Sequence, residues 1–406
     1  MGVHVISRGE KGPLVGVLKR CGIEPSFSWI KVRPESSTQG KVFKFPHDLK
    51  GMVPDADYEA VLRFVTDIKG LSDEQMAALD GLTLEEHLNS YTTDTFCHSC
   101  ISRIGSVYMG APEWMTSAGE FARCMQWEAS ARASAYPEGG CGAVTKDYVE
   151  GIKGYGGDIF PGTPVDWIVV EDGIAVGVFA GGEEYRAPIV VSNADIKETI
   201  LKLVGPQYFS EEYVGRIKDA EYTLSSPVIR FALDTVVADP ERYKMLGQFY
   251  SGGQHEYYEM ISRGELPDEV NLFLVIPSNF DRGVAPEGKQ LVMMASAVPV
   301  DLEDEFLDKF MDRMVDTAEK MIPGLRDHVI FKDVSASKTV AKMVGEEGAT
   351  IGLVQSPDQV GKKRPSVKSP LPGLYLVGGE AGGAGVGTEL CCNSAIELFD
   401  EYLSKL

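Results

Sequence analysis

The densest chemical signal in the 406-residue chain lies near its end, in the run Gly378, Gly379, Glu380, Ala381, Gly382, Gly383, Ala384, Gly385, Val386 and Gly387. Glycines in such a run let the backbone come close to a ligand. A helix predicted over residues 388–403 follows, and a helix start presents unpaired N–H groups and the positive end of a dipole. That pairing holds an anion or an electron-rich ring edge. Glu380 stands at the C-terminal end of an apolar strand predicted over 374–377, placed to accept hydrogen bonds from sugar-like hydroxyls. The same layout also serves as a tight turn that binds nothing, and the residues alone leave both readings open.

Other candidates fail on spacing. Cys97 and Cys100 are three apart, but one pair cannot complete a tetrahedral zinc site, and no thioredoxin-like strand precedes it. On a helix the two share a face and read as buried thiols. The six histidines are scattered, without His-Glu-x-x-His spacing. The segment from Gly283 to Lys289 imitates a Walker A loop, yet Gln290 replaces the magnesium-holding hydroxyl and Pro286 interrupts it. It reads as a turn feeding a strand over 291–298. A dinucleotide fingerprint G-x-G-x-x-G is absent: Gly383 and Gly385 begin the spacing, but Thr388 stands at the third position. Phe249, Tyr250, Tyr257 and Tyr258, with Met245 and Met260, serve equally as an apolar pocket or as sheet packing.

The chain that must position these residues is 44% hydrophobic and 24% charged, an ordinary globular composition with room for two or three domains. Its net charge of −21 argues against nucleic acid and against electrostatic docking on an anionic membrane. No window approaches 18 unbroken apolar residues, and no hydrophobic signal region follows Met1, so a cytoplasmic location is expected. Seven cysteines, an odd count, read as reduced thiols.

Taken in order, residues 3–6 read as a short strand and 14–20 as a helix ending at Cys21 and Gly22. Residues 28–32 and 41–45 alternate as a small hairpin would. From 55 to 135 the pattern is helical, with cap-like Ser72 and Thr83 ahead of acidic residues. A helix over 143–153 leads to Asp158, Ile159 and Phe160, in a βαβ-like start. A meander over 165–170, 174–179 and 185–191 follows, with a turn at Glu171, Asp172 and Gly173. Strands over 227–233, 272–276 and 291–298 and an amphipathic helix over 302–321 make a second αβ region.

These segments, in this order, resemble the phytoene desaturase and retinol saturase branch of the FAD-dependent amine-oxidase-like flavoprotein superfamily. The resemblance rests on Gly12-Pro13-Leu14 through Cys21-Gly22-Ile23, and on Pro137 with Gly139 and Gly140. It rests also on the strand pair around Val165 and Gly177, the segment from Val190 to Asp195, the turn from Ala285 to Lys289, and Gly373 through Gly387. It implies an α/β fold: a discontinuous, Rossmann-like FAD-binding domain of the glutathione-reductase type, with an inserted α+β substrate domain. The first would comprise residues 1–24, 137–205 and 345–406, the second 25–136 and 206–344. FAD is the implied cofactor. The Val165 backbone would meet its adenine end, and Ser192, Asn193 and Ala194 would flank the adenosine. Gly378 would bind the cofactor, Gly379 and Glu380 would contact pyrophosphate and ribityl groups, and Gly385, Val386 and Gly387 would face the isoalloxazine edge.

The implied reaction is hydride transfer between a C–H or C=C bond of an apolar, isoprenoid- or carotenoid-like substrate and the flavin; the catalytic residues are unknown. This sequence departs from the family by lacking its opening strand, G-x-G-x-x-G turn and helix, the pyrophosphate cradle. Three readings follow: an N-terminally truncated or mis-started enzyme, a partner chain that completes the FAD site, or a non-catalytic binding or assembly module. An apolar substrate also makes peripheral membrane contact an expectation.

Overall fold

The computed structural model describes residues 5, 6, 8–32, 35–38, 41–131 and 134–405. Its largest sheet has seven strands, in the order Val329–Ser335, Val228–Leu233, Gln290–Ala295, Leu272–Val275, Met245–Gln248, Glu35–Thr38 and Lys41–Phe43. Strict alternation builds it. In Val228–Leu233 the residues Ile229, Phe231 and Leu233 are buried, while Arg230 faces the other way. The helix Asp304–Met321 covers the buried face with Leu307, Phe310, Met311, Met314, Val315 and Ala318. These positions recur at three- and four-residue steps, one stripe of a helix. Truncating a fully buried Phe310 to alanine would cost about 3–5 kcal/mol.

The helical stretch expected over 55–135 is five helices: Asp55–Gly70, Asp73–Leu79, Leu84–Asn89, Thr95–Met109 and Ala118–Ala131. Ser72 and Thr83 both close capping boxes. Ser72 Oγ accepts from Gln75 N at 3.2 Å while Gln75 Oε1 accepts from Ser72 N at 2.8 Å, and Thr83 with Glu86 does the same at 3.1 and 2.8 Å. Cys97 and Cys100 are both fully buried in this layer, where burial pushes the Cys100 thiol up to about 12. Phe249 joins the same core, whereas Tyr257 and Tyr258 pack under the large sheet, so the aromatic cluster divides between two cores.

The small hairpin expected from residues 28–45 is a correction. Trp29–Val32 pairs antiparallel with Ser134–Pro137, and the polar strand Glu35–Thr38 pairs with both Lys41–Phe43 and, in parallel, Met245–Gln248. Partners a hundred or more residues away decide that arrangement, and local alternation does not see them. The turn reading of 283–289 stands, since a 3-10 turn, Arg282–Val284, precedes the strand Gln290–Ala295. Of the expected first strand, Val3 and His4 lie outside the described residues, and Ile6 bridges Ala135.

A separate three-stranded meander comprises Val165–Glu171, Ile174–Ala180 and Glu183–Arg186. Its first turn places Asp172 and Gly173 at φ 48° and 75°, the left-handed pair that a two-residue hairpin needs. Two expectations differ here. Residues 158–160 form no strand, and Phe160 packs beside Tyr185, ring centres 5.4 Å apart. The expected third strand is also two: Val190–Ser192 leaves the meander and pairs in parallel with Leu374–Leu376. No helix among the described residues is long and apolar enough to cross a membrane.

Candidate functional site

The parallel pair Val190–Ser192 and Leu374–Leu376 sets the site, because in an open α/β sheet ligands bind beyond the carboxyl ends of the strands. Leu376 stands opposite Ser192, and Val377 N donates to Ser192 O at 2.9 Å. The expected residues Ser192, Asn193 and Ala194 on one strand end thus lie beside Gly378, Gly379 and Glu380 on the other. Gly378 has φ 111°, a backbone conformation that favours glycine, and a Cβ there would fall 2.2 Å from Asn193 Oδ1 and push that exposed side chain aside.

Side chains tie the glycine loop almost peptide by peptide. Gly378 N donates to Ser394 Oγ at 3.1 Å, and Gly383 N to Glu397 Oε2 at 2.7 Å. Asn393 Nδ2 donates to Ala384 O at 2.8 Å, and Gln355 Nε2 to Gly385 O at 2.5 Å. Gly385 N donates to Glu120 Oε1 at 2.7 Å. Arg364 spans Gly382 O at 2.7 Å and Gly379 O. Asn393, Ser394 and Glu397 come from one face of the closing helix, Gly387–Glu401.

The charges behind the loop are buried or half-buried. Glu120, 2% exposed, also accepts from Arg123 Nη1 at 2.7 Å, and Arg123 reaches Asp80 at 2.8 Å. Burial works against the Arg123 charge, and the two carboxylates more than restore it, raising its pKa. Arg364, equally enclosed, is lowered by burial, with Glu120 and Glu380 opposing.

The closing helix starts differently. Val386 is its N-cap without a side-chain hydrogen bond, so the first N–H groups lack that partner. Gly387 has φ 49°, and a Cβ there would meet nothing within 4 Å. Arg8 borders this space: it is ion-paired with the buried Glu389, and its guanidinium lies 4.8 Å from the centre of the Trp127 ring. A Cβ on Gly385 would come within 3.1 Å of Trp127 and 3.3 Å of Glu389.

Glu380 is 6% exposed, and its Oε2 accepts from Ile196 N at 2.5 Å, fastening the Asn193–Ile196 corner to the loop. Ser192 Oγ pairs with Thr199 Oγ1 at 2.8 Å and accepts from Ala194 N. Asn193 and Ala194 are exposed. Val165, 37% exposed, stands at the far end of its strand from the Asp172–Gly173 turn and bonds to none of the loop.

Sequence reasoning missed Arg8, Glu120, Arg123, Gln355 and Arg364. Only the three-residue spacing of Glu120 and Arg123 and the polar face after the glycines were local signals.

The outer edge of the pair is open. Val190–Ser192 has no further strand beside it among the described residues, and Val191 is 43% exposed. A cavity of about 380 Å³ opens between the helices Pro13–Arg20, Cys141–Gly154 and Gly387–Glu401, lined by Leu14, Val17, Val144 and Tyr148.

No family model matches the chain. It is 28% identical over 257 residues to prolycopene isomerase 2, chloroplastic, of an Oncidium hybrid cultivar, covering 60% of this chain and 42% of that protein. It is 28% identical over 273 residues to the neurosporene-forming phytoene desaturase of Cereibacter sphaeroides, covering 62% and 51%. The matched stretch is about half the length of those curated relatives. Among solved structures, an oxidoreductase from Methanosarcina mazei shares the fold at a TM-score of 0.73 and 17% identity, covering 98% of this chain and 87% of that one. Carotenoid desaturases and isomerases are thus among the proteins the sequence resembles, and the mixed α/β fold is shared with that oxidoreductase.

Proposed function

We propose that this chain carries the flavin-facing half of an FAD-dependent oxidoreductase acting on an apolar, isoprenoid- or carotenoid-like substrate. One observation supports it above the rest: a loop immobilised by buried side chains ends at a helix start whose first N–H groups and Gly387 are left open. That is a cradle fitted to an electron-rich ring edge. When bound, FAD would supply hydride transfer to or from a C–H or C=C bond. Gly385, Val386 and Gly387 would hold the isoalloxazine edge, and the helix start would stabilise negative charge there. Glu120 and Gln355 would fix the height of Gly385, with the Arg8–Glu389 pair beside it. Gly378, Gly379, Ser192, Asn193 and Ala194 would meet the pyrophosphate and adenosine side, with Val165 at the adenine. Glu380 would act through the corner that it fastens.

The adenosine side is incomplete on these residues, which include no phosphate-binding glycine turn. We propose that a strand-turn-helix unit pairs with the open edge at Val191 and covers the apolar cavity, whether it is joined to this chain or supplied by a partner. The open edge also favours a second reading, a non-catalytic module that keeps the fold to assemble with another chain.

The visible spectrum after adding FAD tests these readings, for the chain alone and for the chain joined to or co-expressed with such a unit. Flavin bands that appear only with the unit support the oxidoreductase. Flavin held by the chain alone removes the need for the unit. No flavin in either case leaves the assembly module.

A further inference from the structure

The closing helix carries an acidic residue where a cradle for an electron-rich ring has least use for one. Glu389 is the third residue of Gly387–Glu401, and its backbone N donates to Val386 O at 3.0 Å in the first turn. Cα–Cβ bonds on a helix tilt towards its N-terminus, so this side chain reaches back to the helix start. It is 3% exposed there, and a Cβ on Gly385 would lie 3.4 Å from its Oε2. A carboxylate in a first turn is stabilised by the positive end of the helix dipole. The same interaction cancels the field that would otherwise act on a ligand at Gly385, Val386 and Gly387.

Arg8 meets this carboxylate from 381 residues away in the chain, its Nε donating to Glu389 Oε1. Three further features fix the guanidinium in place. It lies over the Trp127 ring, 4.8 Å from the centre. The Arg8 backbone N donates to Glu128 Oε2 at 3.4 Å. The residue also holds a left-handed backbone, φ 56°, which bulky residues rarely adopt, and strain of that kind gathers at functional sites. The arrangement has a counterpart: Glu120, the acceptor of Gly385 N, is met by Arg123, which also holds the partly exposed Asp80. Glu120 and Glu389 thus both lie beside Gly385, and each has an arginine against it. All four charges act on the Cys124 thiol, which packs against Val386.

We propose that Arg8 is a positioning residue of the flavin site: by pairing with Glu389 it keeps that buried carboxylate from opposing the negative charge of reduced flavin at the helix start. This rests on the flavin reading above and adds the residue that sets the charge of the cradle. A role through charge has a sign, whereas a role through packing has none.

The midpoint potential of bound FAD, read by equilibration with a redox dye, tests that sign. The full chain is loaded with FAD, together with the strand-turn-helix unit where loading needs it. Arg8→Met should weaken the binding of reduced relative to oxidised FAD about tenfold, the scale of one unit charge a few ångströms away. For a two-electron couple that lowers the potential by about 30 mV. Glu389→Gln leaves the arginine unopposed and should raise the potential, which decides the sign even where Arg8→Met does not fold. The double variant should return to the wild-type value, and Arg8→Lys should stay near it. Single variants that move the potential in the same direction, or leave it unchanged with FAD bound, overturn the role of Arg8 and leave the flavin reading standing. A double variant that keeps the Arg8→Met shift does the same. If neither the chain nor the completed chain takes up FAD, the proposal falls together with the flavin reading.

Discussion

The two strands that define the site end in opposite ways. Beyond Leu376 the chain enters a loop in which Gly378, Gly379, Gly382, Gly383, Ala384 and Gly385 each bond to a side chain from elsewhere. Beyond Ser192 it runs through exposed Asn193 and Ala194, beside an edge with no neighbouring strand. One half of the site is therefore preorganised by this chain, and the other awaits something to pair with it. Preorganisation is what electrostatic stabilisation of a flavin edge requires, since donors fixed beforehand need no rearrangement during reaction.

The largest expected effect comes from breaking the closed half. Glu120→Ala removes the acceptor of Gly385 N and one of the two carboxylates on Arg123. Leaving the buried Gly385 N–H without its acceptor typically costs about 1–3 kcal/mol, and the weakened Arg123 network adds to that loss. Urea unfolding should show that loss, and Glu120→Gln, which keeps an acceptor oxygen, should recover part of it. An unchanged midpoint in Glu120→Ala would mean that the loop holds itself, and the contrast between the two strand ends would lose its basis.

Two glycines sharpen the contrast within the loop itself. Gly378→Ala drives a methyl into Asn193 at a positive φ, a strain of about 1–3 kcal/mol that should appear as lost stability with or without FAD. Gly387→Ala has the same kind of backbone penalty, about 1–2 kcal/mol, but its methyl meets no protein atom. Its larger consequence should be weaker FAD binding, measured by titration of the completed site. If both variants lose only stability, the space at Gly387 is not a ligand cradle.

The sequence showed the strand, the glycine run and the closing helix because all three are contiguous, and contiguous patterns carry their own period and turn chemistry. The helix expected from 388 begins at Gly387, and the meander turn falls on Asp172 and Gly173. What fixes the loop was not legible. Glu120 and Gly385 are 265 residues apart, and an acidic residue inside an amphipathic helix reads as solvated until the fold buries it. The strand Glu35–Thr38 was missed for the same reason: Ser36, Ser37 and Thr38 look like loop, yet pairing with Met245–Gln248 encloses them. Glu380 was legible as important, but its direction was not, because Ile196 N lies on another segment.

The smallest expected effect concerns a site where closure is complete. His98 has an acceptor on each ring nitrogen, an arrangement that suits the doubly protonated ring. Burial opposes that charge, but the Glu113 carboxylate and the Thr92 carbonyl outweigh it, and the His98 pKa lies above its ordinary value. Unfolding releases the ring to a pKa of about 6.5. The folded protein therefore holds the proton where the unfolded chain has begun to lose it. The stabilisation is full below about pH 6.5 and falls as pH rises through the folded-state value. Unfolding midpoints measured from pH 5.5 to 8.5 should decline on that side, and His98→Gln should flatten the decline. A decline that persists in His98→Gln would assign the titration to another group.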